Sequence, residues 1–410
     1  MKRIWIINQF ANTNKMPGHT RQYDLSIYLK ENGFLVSVFA SDFNLSLRKF
    51  LKKKNKLIYH KEVIEKVNWY WLSVFGYKSN NWRRYLNMIS FNLNLFINLF
   101  LRCFMTSFTK KKPSIIIASS PQLPAALVGL IIAKIYSIPL IFEVRDLWPR
   151  VLIDIKNYNA NSFYVKILFI IENLLYKHSS LVVVLSKGCV NYVKNKGAKN
   201  VKYLSNGPDL KLFRYYKLPT QFEEFSEKRP FRIIYSGAHG LVNGLENVIE
   251  AAKLLEKLPI LFYFLGDGQE KNNLIKYASD LKSIIFKDPI SQIKIPKYLS
   301  RFDAIIVSLS DIKLFRYGVS PNKLYDAYAL GRPVITTIPG LINDEVKEYK
   351  IGVTAKAENP DQLASAIKDL FYMPREEREK MSLRARKLAE TNYSRKYMCE
   401  GFLKEINKLS

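Results

Sequence analysis

Ser320-Pro-Asn-Lys-Leu-Tyr-Asp-Ala-Tyr-Ala-Leu-Gly-Arg-Pro-Val-Ile335 reads as a loop, a short helix, a stop and a buried strand. Ser320 suits an N-cap, because its hydroxyl can take an amide that the helix leaves unbonded, and Pro321 suits the first helical position. Gly331 closes the helix, and Pro333-Val-Ile-Thr336 opens a strand. Lys323 breaks the pattern. A cation in the first turn opposes the helix macrodipole, at a cost of about 0.3–1 kcal/mol. A bound anion reverses that sign, since helix amides and an ammonium then converge on one phosphate. Asp326, one turn on, is placed to hold a sugar hydroxyl. Together they suggest a ligand with both phosphate and sugar. The plainer alternative is a lysine that points into water.

Outward from this stretch, apolar runs alternate with helical patterns. Strands are expected at 4–7, 35–39, 115–118, 140–143, 181–185 and 201–204, then at 232–235, 261–265, 284–286, 304–307 and 334–336. Helices are expected at 20–31, 161–176, 245–257 and 321–330, with a charged helical tail over 374–410. Continuous apolar strands separated by helices predict parallel sheets covered on both faces. The interval from Asn206-Gly-Pro-Asp209 to Lys228-Arg-Pro230 is turn-rich and reads as an interdomain linker. The expected class is α/β, with two Rossmann-like halves that bind ligands at the C-terminal ends of their strands.

The chain has 410 residues, 64 Lys and Arg against 35 Asp and Glu, and a net charge of +29. Such an excess attracts nucleic acid, anionic lipid or phosphate-bearing substrates, although a Lys-rich background composition also spreads charge everywhere. Cys103, Cys189 and Cys399 have no spacing that makes a disulfide framework or a zinc site, which fits a reducing cytosol. The apolar part of Met1–Asn8 is too short for a signal peptide and reads as a first strand.

Residues 83–106 form one long apolar helix with Asn87, Ser90, Asn94, Asn98, Arg102 and Thr106 in a single polar stripe. Basic clusters flank it at Arg83-Arg84 and Lys110-Lys111-Lys112. Four asparagines, an arginine and a basic cluster at each end argue against a membrane span. It either packs on the sheet as a buried helix or lies in a membrane interface with its basic flanks on anionic headgroups.

Glycine turns follow several strands: Met16-Pro-Gly-His-Thr20, Tyr235-Ser-Gly-Ala-His-Gly240 and Leu265-Gly-Asp-Gly268. They let the backbone approach a phosphate or sugar, but none is a P-loop or a dinucleotide fingerprint, and ordinary strand-to-helix turns look the same. His19 and His239 sit in such loops and are expected to face the ligand cleft, whereas His60 and His178 are expected to be structural. Glu143, Arg145 and Asp146 end a strand where a parallel sheet opens, with a structural Arg–Asp pair as the alternative. No grouping has metal-ligand spacing and no nucleophile signature occurs.

Taken together, these runs resemble the GT-B glycosyltransferases of the retaining, metal-independent family 4, in the branch of bacterial capsule, O-antigen and exopolysaccharide enzymes that includes the L-fucosamine transferases. Val144-Arg-Asp-Leu-Trp-Pro149, Leu204-Ser-Asn-Gly-Pro-Asp209, Tyr235-Ser-Gly-Ala-His-Gly-Leu-Val-Asn-Gly-Leu-Glu246, Tyr317-Gly-Val-Ser-Pro-Asn-Lys-Leu-Tyr-Asp326 and Asn392-Tyr-Ser394 carry the likeness. It implies two Rossmann-like domains facing a central cleft: an acceptor-side domain over 1–207, a nucleotide-sugar domain over 208–390, and a helix over 391–410 that crosses back. It implies Lys323, Arg145, Asp146 and His19 as catalytic residues. Donor contacts would come from Gly18, Gly237, His239, Gly240, Gly266, Ser320, Pro321, Asn322, Lys323, Leu324 and Asp326. In the family, two carboxylates stand eight positions apart; Asp326 matches the second, which holds the nucleotide ribose, and Gly318 stands where the first would be. The loop Gly237–Gly244 also lacks the family's Arg and Lys.

The resemblance further implies a UDP-linked sugar donor, no metal cofactor and transfer with retention of configuration. A polyprenyl-diphosphate-linked saccharide would be the acceptor, at the cytoplasmic face of an anionic membrane. A nucleotide-sugar 2-epimerase of the same architecture is the alternative within enzymes. A basic nucleic-acid-binding protein is the alternative of another class; no module for it is present, and no nucleic acid partner is expected.

Overall fold

Each expected apolar strand forms, and in sequence order the strands build two separate sheets, parallel but for one edge pair in the first. The computed structural model describes residues 1–14, 16, 20–45, 47–51, 58–78, 82–107, 112–219 and 229–409. By its internal contacts the chain divides into two units, 1–204 with 399–410, and 205–398. The helix Arg395–Leu409 carries the chain from the second unit into the first.

The first unit holds an eight-stranded sheet in the order Val201–Tyr203, Leu181–Val184, Leu140–Val144, Ile115–Ser119, Arg3–Ile7, Leu35–Ser41, Val67–Leu72, Tyr59–Ile64. All neighbours are parallel except the last pair, which is antiparallel. The central strand aligns Ile4 with both Val36 and Ile115, and its Ile4, Ile6 and Ile7 are almost fully buried. Such burial on both faces is why the strand sequence is uniformly apolar.

The second unit holds six parallel strands in the order Ile284–Lys287, Ile260–Leu265, Phe231–Ser236, Ala304–Val307, Val334–Thr336, Gly352–Thr354. Phe231, Ile233, Phe262, Phe264, Ile306 and Ile335 join its core with the helices Leu245–Leu254 and Pro360–Tyr372. These helices are conventionally amphipathic: Val248, Ile249, Ala252, Leu363, Ile367 and Leu370 face in.

Five strands escape the apolar-run criterion. Tyr59–Ile64 is an edge strand with alternating exposure, so its sequence is half polar. Val67–Leu72 is aromatic rather than aliphatic and carries Asn68; Trp69 and Trp71 stack at 5.0 Å inside it. Gly352–Thr354 is short, and Phe43–Asn44 with Lys49–Phe50 is a small hairpin.

The linker reading needs correction over 205–217. Arg332, fully buried, donates to the carbonyls of Tyr216, Lys217, Ser300 and Gly331 at 2.8–3.2 Å. Arg386 donates to Phe213 O, Arg395 to Gly207 O, and Asn206 to Ser320. The segment has no strand because guanidinium groups, rather than a ladder, take its carbonyls. It is part of the second unit; 220–228 lie outside the described residues.

The long helix spans Trp82–Ser107, and its polar stripe from Asn87 to Arg102 faces the protein. Asn87 is buried, accepts from Gln9 Nε2 at 2.8 Å and donates to Phe75 O at 2.7 Å. Asn94 donates to Ser73 O at 2.7 Å, Ser90 Oγ accepts from Phe75 N, and Arg102 lies 3.9 Å over the Tyr70 ring. The stripe thus binds the backbone that follows Val67–Leu72. Phe91, Leu95, Leu99 and Cys103 supply the apolar part of the inward side. The outward residues are Trp82, Arg83, Tyr85, Ile89, Leu93, Phe96, Ile97, Phe100, Leu101, Phe104 and Met105, so one charge stands among ten apolar or aromatic side chains. Over Trp82–Met105 the segment is long and apolar enough to cross a bilayer, with a mean hydropathy of 1.4.

Candidate active site

The stretch that opened the reading folds as a helix over Asn322–Leu330, with Gly331 in the left-handed conformation (φ 63°) that closes it. Pro321, not Ser320, occupies the N-cap position. Ser320 has other work: its hydroxyl accepts from Asn206 N at 3.1 Å and lies 3.1 Å from Tyr325 Oη. The Leu324 side chain is fully buried core, and its amide donates to Pro321 O at 3.1 Å, which corrects its assignment as a ligand contact. Among the described residues the amides of Asn322 and Lys323 have no partner, as expected at a helix start.

Lys323 does not point into water. Its Nζ donates to Tyr235 Oη at 2.7 Å and to Asn243 Oδ1 at 3.3 Å, and lies 4.2 Å from the Tyr235 ring centroid. A Cβ added to Gly237 would sit 3.2 Å from the same Nζ. The ammonium therefore lies where the loop after Phe231–Ser236 meets the helix start. Among the described residues no carboxylate pairs with it, and burial pushes its pKa down to about 7. The Asp326 carboxylate, one turn on, makes no hydrogen bond or ion pair among the described residues, and burial pushes it up to about 8. Burial thus disfavours the charged form of both groups, and an anion beside the ammonium would restore its charge. Gly318 follows a 3-10 turn with φ 89°, so the position offers backbone and no side chain.

The two glycine loops of this unit interlock. Gly237 N donates to Leu265 O at 3.0 Å, and His239 N to Asp267 O at 2.9 Å. A Cβ on Gly266 would fall 1.9 Å from Gly237 O, and one on Gly268 2.3 Å from His239 O. Gly266 is thus required by loop-on-loop packing, with φ 147°. Gly240 has ordinary room for a Cβ, with Asn243 Nδ2 nearest at 3.5 Å.

His239 is buried, not exposed in a cleft. Its buried ring packs against Tyr235, Phe264 and Phe286, and among the described residues neither ring nitrogen has a partner. Burial, and next the Lys271 ammonium, push its pKa below the usual imidazole value. Its backbone shapes the loop; its side chain fills the space beneath.

In the first unit, Arg145 and Asp146 follow Leu140–Val144, and both backbone amides point at Ser120 Oγ, at 2.8 and 3.4 Å. Glu143 feels the Arg145 charge but has its own partners. It is buried and paired with Arg21 at 2.7 Å, and accepts from Gln22 and Ser119. Burial alone would raise its pKa, but the Arg21 and Arg145 guanidiniums outweigh burial and hold it below the usual carboxylate value. Gly18 and His19, and with them Lys110 and Lys111, lie outside the described residues. Among the described residues no group of three or more His, Cys, Asp or Glu is arranged to hold a metal ion.

The residues that sequence reasoning did not single out are Tyr235 and Asn243, which hold the Lys323 ammonium. Both lie in the glycine-loop run, but a tyrosine at a strand end and an asparagine in a turn carry no signature of their own.

Residues 219–388 match the family model described as Glycosyl transferases group 1. WcaI of Escherichia coli (strain K12), named for colanic acid biosynthesis as a glycosyl transferase, is 26% identical over 238 residues, covering 55% of this chain and 56% of its own. WbjE of Pseudomonas aeruginosa, named as a glycosyltransferase, is 23% identical over 239 residues, covering 55% and 58%. The chain spans about half the length of the curated relatives it matches. Among solved structures, sucrose-phosphate synthase of Thermosynechococcus elongatus superposes with a TM-score of 0.73 at 14% identity, covering 100% of this chain and 99% of that one. HepE of Anabaena in complex with UDP superposes with a TM-score of 0.68 at 14% identity, covering 100% of both. The chain therefore has the GT-B fold of two Rossmann-like domains, and its 219–388 segment is similar in sequence to Glycosyl transferases group 1.

Proposed function

We propose that the protein is a retaining glycosyltransferase of family 4, moving a sugar from a UDP-linked donor to a polyprenyl-diphosphate-linked saccharide. Its place is the cytoplasmic face of the membrane, in surface polysaccharide synthesis of the capsule or O-antigen type. The observation that carries the donor half is Lys323, fixed by Tyr235 and Asn243 beside two unpartnered helix amides. HepE, which superposes over the whole chain, has been solved with UDP-glucose.

In the reaction, the bond from the sugar anomeric carbon to the donor diphosphate breaks. The acceptor hydroxyl attacks that carbon from the same face, and its proton passes to the departing diphosphate. Lys323 and the amides of Asn322 and Lys323 stabilise the charge that grows on the diphosphate, the role in which oriented donors contribute most. Asp326 holds the ribose. Arg145, Asp146 and His19 belong to the acceptor side. The reaction needs no metal ion, so transfer should survive exhaustive chelation.

The outward apolar face of Trp82–Ser107 favours a lipid-linked acceptor over the epimerase alternative, whose substrate is soluble. A panel of nucleotide sugars, read by thermal shift and then by product formation on a lipid-linked saccharide, tests the reading. Stabilisation by UDP-sugars is expected. A panel without any stabilising nucleotide would overturn it.

A further inference from the structure

The first unit carries a second cavity that the donor reading does not use. The N-terminal turns of three helices, Trp82–Ser107, Leu123–Ile135 and Phe163–His178, meet around a space of about 190 Å³. Its lining holds two cations, Arg84 and Lys156, and no carboxylate. Burial, and then the Arg84 guanidinium, push the Lys156 ammonium below its usual pKa, so two like charges share this space. Lys156 also lies 5.8 Å over the Trp148 ring, another lining residue. Three positive helix ends and two cations favour an anion.

What surrounds the cavity selects the kind of anion. The three helices pack side by side. Tyr85 lines the cavity and is also exposed at the start of the outward face, which continues through Ile89, Leu93, Phe96 and Phe100. Ile131 and Ile135 on the second helix, and Ile167, Ile170 and Leu174 on the third, are likewise exposed. These helices contain one acid, Glu172, which is buried and paired with Lys196 at 2.6 Å. Arg83, Lys134, Lys166 and Lys177 supply exposed positive charge around the apolar surface. A surface that is apolar, fringed with cations and free of exposed carboxylates suits a bilayer with anionic heads.

We propose that this cavity receives the phosphate or diphosphate head of a membrane lipid, between Arg84 and Lys156, with the lipid's apolar chain leaving along the outward face of Trp82–Ser107. This rests on the lipid-linked acceptor of the preceding reading and identifies the group by which that acceptor is anchored.

The test uses the full chain and phosphatidylcholine vesicles. One set carries a polyprenyl diphosphate; the other carries phosphatidylglycerol at equal negative charge. Flotation should show about tenfold stronger binding to the first set, the size expected of charge-assisted hydrogen bonds to a held head. Arg84→Gln with Lys156→Gln should abolish that preference and leave UDP binding intact. Equal binding to both vesicle sets, or an undiminished preference in the double variant, overturns the proposal. Full displacement from vesicles by inorganic diphosphate shows a free-anion site and overturns its lipid part. Loss of UDP binding in the parent protein overturns the glycosyltransferase reading alone, since the vesicle comparison does not involve nucleotide.

Discussion

The helices Asn322–Leu330 and Trp82–Ser107 both put residues where a helix of a soluble protein would not, and they do so on different scales. In the first, a single cation stands at the positive end of a helix and is drawn inward by Tyr235 and Asn243. In the second, a whole apolar face is left outward: the asparagines join Phe91, Leu95 and Leu99 against the protein, while Ile89, Leu93, Phe96 and Phe100 point away. The first conflict is local and electrostatic, so one small anion can resolve it. The second is extended and apolar, and only a surface can. The contrast teaches where to look for each partner: a ligand answers a misplaced charge, an interface answers a misplaced face.

The largest effect should come from the point conflict. Lys323→Met should weaken UDP-sugar binding on the order of 100-fold, the loss expected for charge-assisted hydrogen bonds. The free protein should be at least as stable at neutral pH, because a buried cation has gone. Titration calorimetry with a thermal melt checks both, and unchanged affinity would falsify the assignment.

For the extended conflict, Ile89→Glu combined with Leu93→Glu and Phe100→Glu should reduce association with anionic vesicles by at least about tenfold, since each replaced side chain removes roughly 1.5–3 kcal/mol of available burial. All three side chains are exposed, so the melting temperature should barely move. A large drop in stability would mean that this face is core after all.

A pH series sharpens the comparison. With Lys323 near 7 in the free protein, an arriving diphosphate raises its pKa, and binding takes up a proton. UDP affinity should be greatest below pH 7 and fall above it, by up to about tenfold per pH unit, until the bound-state pKa is passed. Vesicle binding should show no such fall through this range if aliphatic burial and fixed cations carry it. A flat UDP profile, or one unchanged by Lys323→Met, would place the proton elsewhere.

The smallest effect concerns His239. Its native pKa lies below the ordinary imidazole value, so between the two the unfolded chain holds more protons than the folded one. Stability is therefore lost as pH falls through and below the ordinary value. His239→Phe should make acid unfolding shallower by at most one proton and leave UDP affinity near that of the parent. A large loss of UDP affinity would restore His239 to the ligand contacts.

Much of the second unit could be read directly from the chain. Ala304–Val307 and Val334–Thr336 are uniformly apolar because both faces are covered, and Gly331 marks its helix end because only that conformation reverses the chain there. Lys323 stood out because a macrodipole gives every helix start a preferred charge. The edges of the first sheet were opaque for the complementary reason: Tyr59–Ile64 has one uncovered side, so its residues alternate as a loop's might. Periodicity also gave the two faces of Trp82–Ser107 without saying which turns inward; that depends on backbone acceptors at Ser73 and Phe75, which no local pattern reveals. His239 was misplaced because a histidine in a glycine loop and a histidine under one share the same neighbours in sequence. Arg332 and Arg386 gave no sign that they tie down 205–217, since an arginine that binds carbonyls is indistinguishable in sequence from one in water.

The order of synthesis gives the long helix a further consequence. The strands Tyr59–Ile64 and Val67–Leu72 leave the ribosome before it, so the acceptors for its asparagines already exist when it emerges. Its flanking helix, Leu123–Ile135, is made only afterwards. Folding back onto that edge and inserting across a bilayer are thus competing fates of the same nascent segment. Asn87 and Asn94 bias the choice twice, by supplying bonds to the first fate and by penalising the second, and Asn98 adds to the penalty. Converting all three to leucine would remove both biases at once, and the same chain would then be expected to emerge with its two ends on opposite sides of a membrane.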